Sequence, residues 1–318
     1  MTITPQAVPR RLCTRRRAVL LAVTVGRMST SEQIIAVTGA SGTVGRLLAA
    51  RLSAAGARQR LIGRSPDRLP ELAGAVRTEP ASFADKATMR AAFDGARTAF
   101  LVSAHESADR VAEHQAAVDA AAEAGVQRLV YLSFLAAAPD ATFTFARDHW
   151  HTEQYIRASG LRFTFLRDSF YLAMFAGMTG EDGVIRGPGG DGKVAAIAHE
   201  DIAESAARVL LDGEVHDGHT YDLTGPAAID FPEAAAILSR FTGRTIEYVA
   251  ETREEAYASR ASYGAADWEL AGWVSSYAAI ATGEMHVVSE AVAHLTGRPP
   301  QDLATYLDRN PGNYAHLR

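Results

Sequence analysis

The chain has 318 residues, 47% of them hydrophobic and 22% charged, with a formal net charge of -5. That length can bury a substantial core, and the mildly acidic balance carries no footprint for nucleic acid. A single cysteine, Cys13, excludes intrachain disulfides, cysteine metal clusters and dithiol redox chemistry, and no metal site is expected.

Residues 1–30 read as an N-terminal extension. Arg10-Arg11 and Arg15-Arg16-Arg17 precede the apolar run 18–25, which falls short of the roughly 20 residues a membrane span needs. The basic front resembles a signal peptide, and its arginines hint at twin-arginine export. Gly26-Arg27-Met28 follows, however, in place of a small-x-small cleavage site. The preferred reading is a disordered extension or a start placed too early, with Met28 the functional start and the protein cytoplasmic. Export is the minority reading.

Gln33-Ile34-Ile35-Ala36-Val37 is a β-branched apolar run that predicts a buried strand, and 46–52 has helical spacing. Between them lies Thr38-Gly39-Ala40-Ser41-Gly42-Thr43-Val44-Gly45. Strand, glycine turn and helix in that order predict a dinucleotide site. Gly39 serves the tight turn, Gly42 the approach of a pyrophosphate and Gly45 close helix–strand packing. The N–H groups of the helix start would hold the phosphates.

Further strands are predicted at 60–63, 98–103, 128–134 and 162–167, and helices at 88–93, 108–124 and 149–159. Such alternation makes a parallel sheet covered on both faces. Past residue 170 it loosens. A glycine-rich loop is expected at 183–192, helices at 201–211, 232–241, 254–263 and 302–309, and a strand at 220–224 that rejoins the sheet. The expected fold is a doubly wound parallel α/β sheet (Rossmann) over 31–170, with a smaller C-terminal α/β substrate lobe over 171–318.

The second strand ends Gly63-Arg64-Ser65-Pro66-Asp67. An NAD site usually has an acidic residue there. A guanidinium instead suits a 2′-phosphate by charge and by its donor fork. Arg64 therefore points to NADP, with Arg68 as a helper, and Asp67 keeps NAD open.

These stretches, with Val130-Tyr131-Leu132-Ser133 and Leu161-Arg162-Phe163-Thr164-Phe165-Leu166-Arg167, resemble the atypical short-chain dehydrogenases of the NmrA-like group. His149-Trp150-His151-Thr152-Glu153-Gln154 and Asp168-Ser169-Phe170-Tyr171 look most like its NAD(P)H:quinone oxidoreductase and triphenylmethane reductase branch. That resemblance implies NAD(P)H-dependent reduction of a quinone, dye or azo-type acceptor. It also implies a position for His149 near substrate. Two departures stand out: Asp168 replaces the branch's usual Asn, and Pro80 or Ala81 stands where an Asp tends to lie near the adenine.

Standard short-chain dehydrogenases move a proton through a Tyr and a Lys four residues later. Lysine occurs here only at Lys86 and Lys193, preceded four residues back by Ser82 and Gly189. The relay is therefore missing. A quinone or a cationic dye accepts hydride with little help from a positioned acid, and the cofactor carries the hard step.

Pocket residues are expected at the C-terminal strand ends. Ser103 and Ser133 fall there on the cofactor side. Phe134, Asp168, Phe170 and Tyr171 line the acceptor side, with the aromatics either stacking on a flat substrate or serving as core. His149, with a pKa near neutral, would protonate a developing oxyanion, with Tyr171 beside it. Glu153 is expected to pack against Arg167 or Arg157. The alternative function is a non-catalytic NADP(H)-binding redox sensor that controls a protein partner. The expected partner is a small aromatic or quinone-like molecule, and a homodimer stays open.

Overall fold

In the computed structural model the described residues are 33–318, so Cys13 and the expectations for residues 1–30 lie outside them. The N-terminal part runs β1 (Ile34–Val37), α1 (Thr43–Ala54), β2 (Arg58–Leu61), β3 (Ala75–Arg77), α2 (Lys86–Phe93), β4 (Ala96–Leu101), α3 (Arg110–Glu123), β5 (Arg128–Phe134), α4 (Thr144–Ala158) and β6 (Arg162–Asp168). Next come α5 (Ala173–Gly177), β7 (Val184–Gly187), α6 (His199–Asp212), β8 (Thr220–Leu223), α7 (Phe231–Thr242) and β9 (Glu247–Ala250). The chain closes with α8 (Arg253–Arg260), α9 (Asp267–Ala281), α10 (Ala291–Thr296) and α11 (Leu303–Arg309).

Seven strands form one parallel sheet in the order β3-β2-β1-β4-β5-β6-β8. Because successive side chains point to opposite faces, one strand feeds two cores. On β5, Val130 and Leu132 pack with Leu48, Leu52, Ile202 and Val209 under α1 and α6. Leu129 and Tyr131 pack with Met89, Phe93, Val118 and Ile156 under α2, α3 and α4. Both faces are covered, which is why the strands read as apolar runs. Strand order reverses between β1 and β4, the point where open α/β sheets hold ligands beyond their C-terminal ends.

The stretch expected to be a glycine-rich loop at 183–192 instead contains β7, which pairs in parallel with β9 in a small second sheet. Four residues flanked by glycine give too short a period to read. A third apolar cluster joins Phe175, Ile185, Phe231, Tyr277, Leu303 and Tyr306. Helix α7 has a capping box in which Asp230 and Glu233 satisfy each other's backbone N–H groups, and Gly243 ends it with φ +75°. Helix α8 repeats the device with Thr252 and Glu255. Among the described residues no helix is long and apolar enough to cross a membrane.

Candidate active site

A cavity of about 580 Å³ opens at the C-terminal ends of β1 and β4. One end of it is built from backbone. Gly39 has φ +62°, and a Cβ there would sit 2.3 Å from Val102 Cγ1. Only glycine meets both demands. A Cβ on Gly45 would sit 2.3 Å from the carbonyl oxygen of Gly39, so the helix approaches the turn as closely as backbone allows. Gly42 caps α1 without a side-chain hydrogen bond, and the first turn of α1 holds no acidic residue. That leaves an open, positively polarised helix start facing the cavity. Ser41, Thr43 and Val44 line it beside the glycines.

Thr38 also lines the cavity, but its hydroxyl ties β1 to β4. It donates to the Phe100 carbonyl at 3.1 Å and accepts from the Val102 N–H at 2.9 Å. Arg64 and Gly63 line the same end, as do Ala81, Ser82 and Phe83 on the side expected for adenine. Ser103 lies farther along the wall.

The other end is built from side chains. Phe134, Phe143 and Phe170 form a mutually packed triangle, with ring centroids 5.1, 5.0 and 5.3 Å apart. Phe145 extends that wall. Asp168 is 2% exposed, and the Tyr171 hydroxyl donates to its Oδ2 at 3.0 Å. Burial pushes the Asp168 carboxyl up to about 8, above the opposing effects of that hydrogen bond and of Arg110. It is therefore largely protonated at neutral pH. Burial and the neighbouring Asp168 raise the Tyr171 phenol well above its ordinary value. His199 packs on Tyr171 at 4.3 Å, brought there because 171–172 bridges to Ile197.

His149 requires a correction. It faces the cavity, but it is 5% exposed and burial, with Arg110 and His114 beside it, holds its pKa well below 6.5 rather than near neutrality. Its Nδ1 lies 2.9 Å from Tyr131 Oη, and its Nε2 lies 3.4 Å from Arg110 Nη2. A guanidinium only donates, so this geometry assigns the proton to Nδ1 and leaves Nε2 as an acceptor. A neutral imidazole held in this way has no proton to give an oxyanion. The expectation erred because α4 begins at Thr144. His149 therefore sits in the second turn, on the buried face, and not at the helix start.

Ser133 is a second correction. It is fully buried and absent from the cavity wall, and its hydroxyl donates to Glu153 at 2.6 Å. Glu153 also takes both arms of Arg167, at 2.8 and 2.7 Å. Of the two partners expected for Glu153, Arg167 makes the close pair and Arg157 lies 3.8 Å away, and Ser133 joins them.

Arg110 was missed. It is 4% exposed, lines the cavity, and donates through Nε to the Ala104 carbonyl at 3.0 Å. Sequence carried a signal: the buried alanine stripe of α3 extends back through His114 to Arg110 at helical spacing. His114 accepts from the Ala104 N–H at 2.8 Å and contacts Thr152 Oγ1 at 2.8 Å, and burial lowers its pKa to about 3. Lys86 pairs with Asp119 and Glu123, and Lys193 with Asp230 and Glu233. Neither lines the cavity, and no group of residues that could hold a metal ion occurs among the described residues.

The NmrA-like family profile matches residues 31–269. Quinone oxidoreductase 2 of Escherichia coli is 29% identical over 277 residues, covering 85% of this chain and 96% of that protein. The NAD(P)H azoreductase of Xenophilus azovorans is 31% identical over 277 residues, covering 86% and 96%. The E. coli NADPH-dependent quinone oxidoreductase QOR2, solved in complex with NADPH, superposes with a TM-score of 0.79 at 29% identity, covering 86% of this chain and 99% of that one.

Proposed function

This chain belongs to the NmrA-like family, and on that premise we propose that it is an NAD(P)H-dependent reductase that passes hydride to a quinone or similar flat, conjugated acceptor. The observation that carries the reading is the continuity of the 580 Å³ cavity. It runs from a glycine turn at one end to a phenylalanine wall at the other, with no Tyr–Lys relay between them.

The residues fit a dinucleotide. A cradle that side chains at Gly39 and Gly45 would fill leads to the uncapped start of α1. There the N–H groups from Thr43 to Gly45 would take the pyrophosphate, while the Gly42 N–H closes the turn on the Gly39 carbonyl at 2.9 Å. Arg64 would take a 2′-phosphate, which favours NADP, while Asp67 keeps NAD admissible. When bound, the reduced nicotinamide supplies two electrons and a proton's mass as hydride.

The protein's own share is orientation and exclusion of water. Phe134, Phe143 and Phe170 offer an apolar aromatic wall to a ring. Asp168 and Tyr171 form a neutral, hydrogen-bonded edge beside it. Residues 171–318 act as the substrate lobe through Tyr171 and His199. The relatives named as a quinone oxidoreductase and an azoreductase support catalysis over redox sensing.

The test is NADPH consumption at 340 nm with a panel of naphthoquinones, azo compounds and dyes. The expected result is turnover with at least the quinones and a preference for NADPH over NADH. Tight binding that distinguishes NADPH from NADP⁺, with no acceptor consumed, would establish the sensor instead.

A further inference from the structure

We propose that Arg110 sets the charge class of the acceptor: the site takes neutral or anionic acceptors whose oxygen gains negative charge, and disfavours acceptors that are already cationic. This rests on the reductase reading of the same cavity.

Two arginines line the cavity. Arg64 stands at the glycine end, and Arg110 stands among the groups of the acceptor end. Arg110 is rigidly held: Nε is fixed on the Ala104 carbonyl, and Nη2 rests against His149 Nε2. Its Nη1 is buried and has no hydrogen-bond partner. The guanidinium as a whole lines the cavity, so its fixed positive charge acts on an acceptor oxygen that enters there.

The acidic groups nearby do not cancel this charge at the acceptor wall. Asp148 lies 3.7 Å from Nη1, but it is a quarter exposed and does not line the cavity. Glu106 and Glu113 line it, but Glu106 is exposed and Glu113 half-buried, so solvent screens them more. Asp168, across the cavity, is held largely neutral by burial.

The chemistry follows the charge. When a conjugated carbonyl acceptor takes hydride, a carbon–hydrogen bond of the reduced nicotinamide would break, oxidising that ring by two electrons, while a carbon–hydrogen or oxygen–hydrogen bond forms on the acceptor and the displaced π pair moves onto an oxygen. The acceptor is reduced by two electrons, and solvent then supplies a proton to the resulting anion. A fixed guanidinium lowers the energy of that anion without reorganising. A triphenylmethane cation does the reverse, since it carries positive charge into the cavity and loses it on reduction. Arg110 opposes its entry.

The first arm of the test uses wild-type protein saturated with NADP⁺ and needs no variant. Calorimetric titration compares 2-naphthoate with 2-naphthylmethylammonium, ligands of similar shape and opposite charge. Naphthoate is expected to bind about tenfold tighter or better, and equal or reversed affinities would overturn the proposal. The second arm compares Arg110→Leu and Arg110→Lys with wild type on 1,4-naphthoquinone and on crystal violet. Arg110→Leu should lower quinone kcat about 100-fold and raise kcat/KM for the dye, with NADPH affinity unchanged. Arg110→Lys should restore part of the quinone rate. Equal losses on both acceptors would mark Arg110 as structural and overturn the proposal while leaving the reductase intact. Bound NADPH that is consumed by neither acceptor would instead remove the reductase reading, and the naphthoate pair would still decide the charge preference.

Discussion

The two ends of the cavity are made of different material. The glycine end comes from consecutive residues, 38–45, and uses backbone N–H groups, a positive φ and a close helix contact. The acceptor end gathers Arg110, Phe134, Phe143, His149, Asp168, Tyr171 and His199 from α3, β5, α4, β6, α6 and the segments between them. A backbone site is specified locally, because glycine is demanded wherever a Cβ has no room. A side-chain site is specified by how elements pack, and its titrating groups take their protonation states from burial and from the neighbours that packing brings together.

This contrast predicts where substitutions act. The largest effect is expected at Gly45. Gly45→Val drives side-chain atoms into the Gly39 carbonyl, so it should cost about 1–3 kcal/mol of stability as overpacking does and abolish NADPH binding. Chemical denaturation and a fluorescence titration read the two losses, and a stable variant that binds NADPH normally would break the backbone account of this end. At the rim of the same end, Arg64→Ala should lower the ratio of NADPH to NADH affinity about tenfold with quinone KM unchanged. An unaltered ratio would remove Arg64 from the 2′-phosphate.

At the acceptor end, the effect expected of Asp168→Asn depends on pH and leaves NADPH binding unchanged. The folded-state pKa of Asp168 lies near 8, against 3.8 for an ordinary aspartate. Between those values the folded chain holds a proton that the unfolded chain has released, so wild-type stability falls as pH rises through that window. Asparagine has no such proton. The urea midpoint of Asp168→Asn should therefore gain on wild type from about pH 4 to about pH 8 and run parallel to it above. Parallel curves throughout would mean that Asp168 ionises normally.

Legibility divided along the same line. The glycine turn, the parallel sheet and the Glu153–Arg167 pair were all readable, since each depends on local spacing or on a charge pair within two adjoining elements. His149 was expected at a helix start, titrating near neutrality, but five further residues of α4, from Thr144 to Asp148, precede it and place it on the buried face. Ser133 sits at a strand end, yet its side chain points to Glu153 and away from the cavity. Helix α9 was not predicted. Its sequence, DWELAGWVSSYAAIA, is apolar on most sides and shows little helical contrast. Gly272 in it packs against Phe145 of the cavity wall, a contact that only the folded chain reveals.

The central claim, that one cavity holds nucleotide and acceptor together for direct hydride transfer, is tested most directly by anaerobic single turnover. Protein loaded with one equivalent of NADPH is mixed with 1,4-naphthoquinone while absorbance at 340 nm and the quinone band are followed together. The account predicts that both fall in one phase, one NADPH consumed for each quinone reduced, and more slowly with deuterium on the transferred position. An unchanged 340 nm signal from fully bound NADPH would contradict it.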